Sequence, residues 1–182
     1  MRLRLAVVED AAAIAALYAP YVTDSAVSFE GQPPGAEEMA ERIAKGGDLY
    51  PWIVAADADG TLLGYAYATA FRPRHAYRFT VETSVYVQQS GHGRGIGAAL
   101  YEALLPLLEK QGFTQAIAAV TLPNEPSVRL HERLGFVRAG AYEKVGYKLG
   151  EWRSVGLWQR ALAPLTEPPE EPRPFAEYWS DQ

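Results

Sequence analysis

The amino-acid sequence predicts an α+β fold in which most strands pair antiparallel and a single βαβ crossover interrupts them. Two observations carry that reading. β-rich runs flank Asp57-Ala58-Asp59-Gly60, a hairpin signal. Further on, a strand-like stretch enters a turn with glycines at 91, 93, 95 and 97; an amphipathic helix and another strand follow, the order of a crossover. A length of 182 residues fits one core, and 48% hydrophobic with 21% charged residues is the balance of a globular chain.

In chain order, residues 2–8 alternate as a strand, and Glu9-Asp10 supplies an N-cap for a helix over Ala11–Tyr21. A Gly/Pro break over 31–35 precedes a second helix, Ala36–Ala44, stopped by Gly46-Gly47. Strands are expected over Trp52–Ala56, Thr61–Phe71 and 78–88. The helix after the glycine turn begins near Gly93 and places Ile96, Leu100, Leu104, Leu107 and Leu108 on one side. Pro106 lies inside it and removes a backbone donor, so a kink or early end is expected there. Thr114–Thr121 reads as a strand, Ser127–Leu134 as a short helix closed by Gly135, and 136–148 and 152–162 as the last two strands.

With 17 basic and 22 acidic residues the formal charge is −5, the wrong sign for a nucleic-acid binder. The absence of cysteine excludes disulfides, thiolate zinc sites and a Cys nucleophile, and no metal is expected. The first residues reach charge before forming an apolar signal core, and no run approaches the ~20 apolar residues of a membrane span; a soluble cytoplasmic protein is expected, with no membrane partner. From Ala163 the composition shifts, with five prolines among acidic residues, dividing a domain over 1–162 from a tail over 163–182. Such a tail is expected to stay extended and disordered, unless Phe175, Tyr178 and Trp179 dock on their own domain or on a second subunit.

The most specific local signal is Gly91-His92-Gly93-Arg94-Gly95-Ile96-Gly97, between a strand and a helix. Glycines let backbone N–H groups converge, and the helix start adds its positive dipole end, so the turn suits a phosphate or pyrophosphate. A P-loop would place Lys and Ser or Thr after the last glycine, where Ala98-Ala99 stands. The dinucleotide fingerprint would fall in the first βα unit with an acidic residue about 20 positions on. Neither pattern is met.

The segment His92-Gly93-Arg94-Gly95-Ile96-Gly97 resembles the Q/R-x-x-G-x-G/A turn of the Gcn5-related N-acetyltransferases (GNAT), with His92 at the position usually held by Gln or Arg. A second stretch, Asn124-Glu125-Pro126-Ser127-Val128-Arg129-Leu130-His131-Glu132-Arg133-Leu134-Gly135-Phe136, is similar to that family's N-x-x-A-x-x-L-Y-x-x-x-G-F, with His131 at the tyrosine. That histidine, with Val81-Glu82-Thr83-Ser84-Val85-Tyr86-Val87, resembles the phosphinothricin and methionine sulfoximine/sulfone acetyltransferase subfamily. The resemblance spans about residues 2–162. It implies the GNAT acyl-CoA N-acyltransferase fold, a mixed and mainly antiparallel sheet flanked by helices on both faces, acetyl-CoA as co-substrate, a small amino-acid-like acceptor, and a homodimer.

Acetyl transfer to an amine needs a neutral nitrogen, a polarised thioester carbonyl and a proton for the leaving sulfur. Glu82, inside a hydrophobic strand, is the candidate base, and His131 the candidate acid to sulfur or partner to Glu82. Arg72, Arg74, Tyr77 and Arg78 gather before Glu82, and guanidinium groups match carboxylate and phosphinate oxygens. The resemblance assigns Arg72, Arg74 and Tyr77 to the acceptor's anion and Phe29 to the acceptor pocket wall. It also assigns Val85, Tyr86 and Val87 to the pantetheine arm through strand backbone groups, Gly93, Arg94, Gly95, Ile96, Gly97 and Ala98 to the pyrophosphate, and Asn124 to a hydrogen bond with the arm. With no Cys, no acyl-enzyme is expected. Two alternatives remain: acetylation of protein N-termini or lysines, which lack a phosphinyl group for Arg72 and Arg74, and a non-catalytic acyl-CoA-binding module.

Overall fold

A computed structural model describes residues 1–180; the last two residues of the expected tail lie outside the described residues. Among the described residues, seven strands and four α-helices follow in the order β1 (Arg2–Leu5), α1 (Ala11–Thr23), α2 (Ala36–Lys45), β2 (Trp52–Ala56), β3 (Leu62–Ala70), β4 (Thr80–Val87), α3 (Ile96–Gln111), β5 (Gln115–Leu122), α4 (Glu125–Arg133), β6 (Val137–Lys148) and β7 (Glu151–Ala161). They form one sheet in the order β1-β2-β3-β4-β5-β7-β6. Every pair is antiparallel except β4–β5, the crossover that α3 bridges.

The sheet is buried on both sides around β2, β3 and β4, while β6 at its end is mostly exposed. Ile53, Ala66 and Val81 pack with Leu100, Leu104 and Phe136 on the face covered by α3 and α4. Val54, Tyr65 and Tyr86 pack with Ile14, Tyr18 and Met39 on the face covered by α1 and α2. Because successive strand residues point to opposite faces, β2 reads as an unbroken apolar run: all five of its residues are buried.

Several boundaries differ from expectation. The first strand stops at Leu5, and Val8–Asp10 forms a short 3-10 turn. Asp10 holds the N-cap position of α1, but its carboxylate is spent on Arg4 and on the N–H of Val7. The third helix begins at Ile96, not Gly93, with Gly95 as its N-cap at φ +79°. It runs through Pro106 to Gln111. Glu102, Pro106, Glu109 and Lys110 are exposed, so the carbonyl that Pro106 leaves without a partner meets water.

The tail is not disordered over its described length. Arg173 exchanges backbone hydrogen bonds with the buried Gln111, through its own N–H and through Gln111 Nε2. Phe175 N–H bonds to the Asp48 carbonyl, and Phe175, Tyr178 and Trp179 pack against the core on the α3 face. Burying three aromatics offsets an ordering entropy that the prolines have already reduced.

Candidate active site

β4 and β5 stay paired for three residues, ending at Glu82↔Ile117, and then part. Both strands run on, to Val87 and to Leu122, so a gap opens within the sheet. Thr83, Val85, Tyr101, Thr121, Asn124 and His131 border it.

The free edge of β4 follows from its register with β3. Phe71 N–H bonds to the Thr80 carbonyl and Gln88 N–H to the Leu63 carbonyl. In an antiparallel ladder the peptide groups of alternate residues face the partner strand. Glu82, Ser84 and Tyr86 therefore turn their backbone groups to β3, while Thr83, Val85 and Val87 turn theirs to the gap. Val85 leaves its peptide groups facing the gap, whereas the N–H and the carbonyl of Val87 both meet the Tyr21 hydroxyl. Tyr86 does not offer backbone groups to the gap, and its ring stacks with Tyr65 and meets Tyr18 and Tyr21 edge-on. The hydroxyl of Tyr21 donates to the Val87 carbonyl and contacts His92 Nε2 at 2.9 Å, tying the glycine turn to α1.

Beyond Val87 the chain enters the glycine turn. Gly93 and Gly95 take φ of +77° and +79°, a region that costs residues with a Cβ roughly 1–2 kcal/mol. Among the described residues, no protein acceptor meets the backbone N–H of Gly93, Gly95, Ile96, Gly97 or Ala98. The last three are first-turn donors of α3, so the donors converge at the positive end of that helix. Arg94 is exposed beside them.

His131 and Glu82 sit on opposite sides of the sheet. His131 is buried at 3% exposure against Tyr101 and Phe136 on the α3–α4 face. Its Nδ1 lies 2.7 Å from the Ser127 carbonyl, so that nitrogen carries the proton and donates. Its Nε2 accepts from the Tyr101 hydroxyl at 3.1 Å, and Thr83 Oγ1 lies 3.4 Å from the same hydroxyl. Burial lowers the His131 pKa, outweighing the Ser127 carbonyl, and keeps the ring neutral. Glu82 is half-buried two residues before Ser84, on the α1–α2 face; burial raises its pKa, and the nearby Arg72 guanidinium opposes that rise. A direct His131–Glu82 partnership is not formed, because strand alternation puts the sheet between them.

The structure gathers Arg72 and Tyr77 around Phe71: the guanidinium of Arg72 lies 5.1 Å over the ring, and Tyr77 meets it edge-on at 5.6 Å. Arg74 is exposed at the start of the turn that carries Tyr77. Phe29 fills the space left by the missing side chain of Gly146 in β6. Its loop is fixed by Lys148, whose ammonium donates to the carbonyls of Val22, Ser28 and Glu30. Asn124 borders the gap, but its side-chain oxygen also caps α4 by accepting from Ser127 N–H. Tyr101, with no exposed surface, was not singled out by the sequence: a tyrosine on the apolar side of a helix looks like core until a buried histidine is found against it.

A splayed sheet with a glycine turn opening a helix defines an acyltransferase class, and the acetyltransferase (GNAT) domain family profile matches residues 3–154. The chain belongs to that family. It is 40% identical over 177 residues to the phosphinothricin N-acetyltransferase of Streptomyces viridochromogenes, covering 97% of this chain and 96% of that protein. It is 36% identical over 168 residues to the L-methionine sulfoximine/L-methionine sulfone acetyltransferase of Pseudomonas paraeruginosa, covering 92% and 98%. The crystal structure of a phosphinothricin acetyltransferase from Sinorhizobium meliloti in complex with AcCoA superposes with a TM-score of 0.88 at 39% identity, over 94% of this chain and 92% of that one.

Proposed function

We propose that the protein moves acetyl from acetyl-CoA directly to the α-amine of a small amino-acid analogue with phosphinyl or sulfonyl oxygens, such as phosphinothricin, methionine sulfoximine or methionine sulfone. The parting of β4 from β5 beside the turn's unpaired N–H groups carries this reading. Those donors fit a diphosphate, and the outward peptide groups of Val85 fit an amide of a pantetheine arm; Val87 joins them where the arm displaces the Tyr21 hydroxyl from its peptide groups. Asn124 lies beside the arm's path, and Arg94 adds charge at the rim. Once bound, acetyl-CoA supplies a thioester-activated acetyl group.

Glu82 removes the proton from the acceptor ammonium, directly or through one water, leaving the amine lone pair free. The burial that raises its pKa makes its carboxylate a better base. As the new C–N bond forms and the C–S bond breaks, the nitrogen sheds its second proton and the departing thiolate takes one up; the Tyr101 hydroxyl, hydrogen-bonded to His131 at the border of the gap, is the group placed to donate it. Arg72, Arg74 and Tyr77 orient the acceptor's oxygens. Phe29 walls the pocket.

A thiol-release assay with acetyl-CoA tests the proposal across the three analogues and a set of peptides. Turnover of the analogues is expected; turnover of peptides alone, or cofactor binding with no turnover, overturns it. A cytoplasmic homodimer completes the reading. Val137, Tyr142, Val145, Tyr147 and Trp152 on the two strands at the sheet's end, and Leu149 in the turn between them, are exposed, which supports an interface there. Sedimentation velocity is expected to show twice the 20.0 kDa chain mass, reduced to one by Trp152→Arg.

A further inference from the structure

We infer that Glu171 and Arg78 are positioning residues that couple the C-terminal strap to the acceptor loop; the inference rests on the reading of Arg72, Arg74 and Tyr77 as that loop. Arg78 directly follows Tyr77. Its Nε lies 3.0 and 2.9 Å from the two carboxylate oxygens of Glu171, and its Nη2 2.7 Å from one of them. Its Nη1 faces the other way, 3.3 Å from the His75 carbonyl and 3.1 Å from His75 Nδ1. The guanidinium plane lies 4.2 Å over Phe79. One side chain thus joins the strap to the backbone of the short turn His75–Tyr77.

Glu171 is presented by fixed backbone. Two residues on, Arg173 is bonded to Gln111 in both directions, and Gln111 Nε2 also donates to the Leu49 carbonyl. Phe175 N–H is bonded to Asp48. A surface ion pair adds little stability by itself, because water screens it and its side chains lose freedom. A planar, two-pronged contact from an anchored carboxylate instead restricts orientation. The turn that carries Tyr77 is otherwise exposed, so this restriction falls on acceptor binding, while Glu82 is held independently by β4.

Steady-state kinetics on the full chain test the coupling. Glu171→Gln is expected to raise acceptor KM about three- to tenfold, leaving kcat and acetyl-CoA KM within twofold. Glu171→Asp should recover part of the loss, and Glu171→Gln combined with Arg78→Gln should be no worse than the poorer single variant. Arg72→Ala serves as the reference for the acceptor loop. An acceptor KM that responds to Arg72→Ala and ignores Glu171→Gln overturns the coupling alone. One that ignores Arg72→Ala overturns the loop assignment and the coupling with it. Equal rises in both substrates' KM also overturn the coupling, since they indicate a general loosening.

Discussion

The two faces of β4 apply the same physics to opposite chemical types. Toward α1 and α2, burial raises the pKa of Glu82. Toward α3 and α4, burial lowers the pKa of His131. Removing water favours the neutral form in both cases, yet the outcomes differ. The carboxyl becomes a stronger base, suited to taking a proton from an ammonium. The imidazole becomes a weaker one, locked as a single tautomer between the Ser127 carbonyl and the Tyr101 hydroxyl. The gap lies between them, so the proposed mechanism gives the acceptor and the thioester separate faces served by separate residues.

The largest effect expected from breaking this division is Glu82→Gln. Loss of a general base should lower kcat by roughly 10²–10⁴, with acetyl-CoA affinity by calorimetry unchanged; an unaltered kcat removes Glu82 from the mechanism. The wild-type rate should fall as pH drops through a pKa above the ordinary 4.5, and that limb should be missing in the variant. Arg72→Ala should move the limb to higher pH, because the guanidinium is what restrains the rise. Stability carries the same sign. The folded pKa exceeds the unfolded one, so the native state holds the extra proton between them and wild-type stability declines as pH rises through that window. Glu82→Gln should therefore melt higher than wild type above the window and level with it below. A lower Tm at neutral pH would point to a paired, stabilising carboxylate instead.

Tyr101→Phe comes next and probes the other face. It removes the donor to His131 Nε2 and leaves a buried acceptor unpaired, which costs roughly 1–3 kcal/mol. A fall in Tm of several degrees should accompany a loss of about tenfold in kcat, with acceptor KM unaltered. Nitrogen chemical shifts of the His131 ring should change at Nε2 and stay as protonated nitrogen at Nδ1. A raised acceptor KM would mean that the two faces are not separate.

The sequence exposed what local chemistry decides. The Asp57–Gly60 hairpin, the crossover around the glycine turn and the stop of α4 at Gly135 all rest on turn residues and apolar spacing, and the structure has each of them. It was less informative where tertiary context decides. Pro106 reads as a break, because spacing alone does not say that its freed carbonyl faces water. The acidic, proline-rich tail reads as disorder; its anchor is Gln111, whose burial depends on the strap that covers it. The same limit applies in the site. Glu82 and His131 can be picked from their motifs, but the face each occupies depends on the register of β3 with β4 and on the docking of α4. Neither is written in the spacing between them.

The smallest effect belongs to Arg94, and its size separates two sources of cofactor affinity. Its guanidinium is exposed at the rim, whereas the turn's N–H groups are fixed by two glycines and by the start of α3. An exposed charge is screened over about 10 Å at 0.1 M salt and about 3 Å at 1 M. Arg94→Ala should therefore raise acetyl-CoA KM about two- to fivefold at low salt and leave it nearly unchanged at 1 M, with acceptor KM constant throughout. A tenfold loss that persists at high salt would shift the grip from backbone to side chain. The turn would then act as a hinge for a single arginine, and the free N–H groups beside it would need another role.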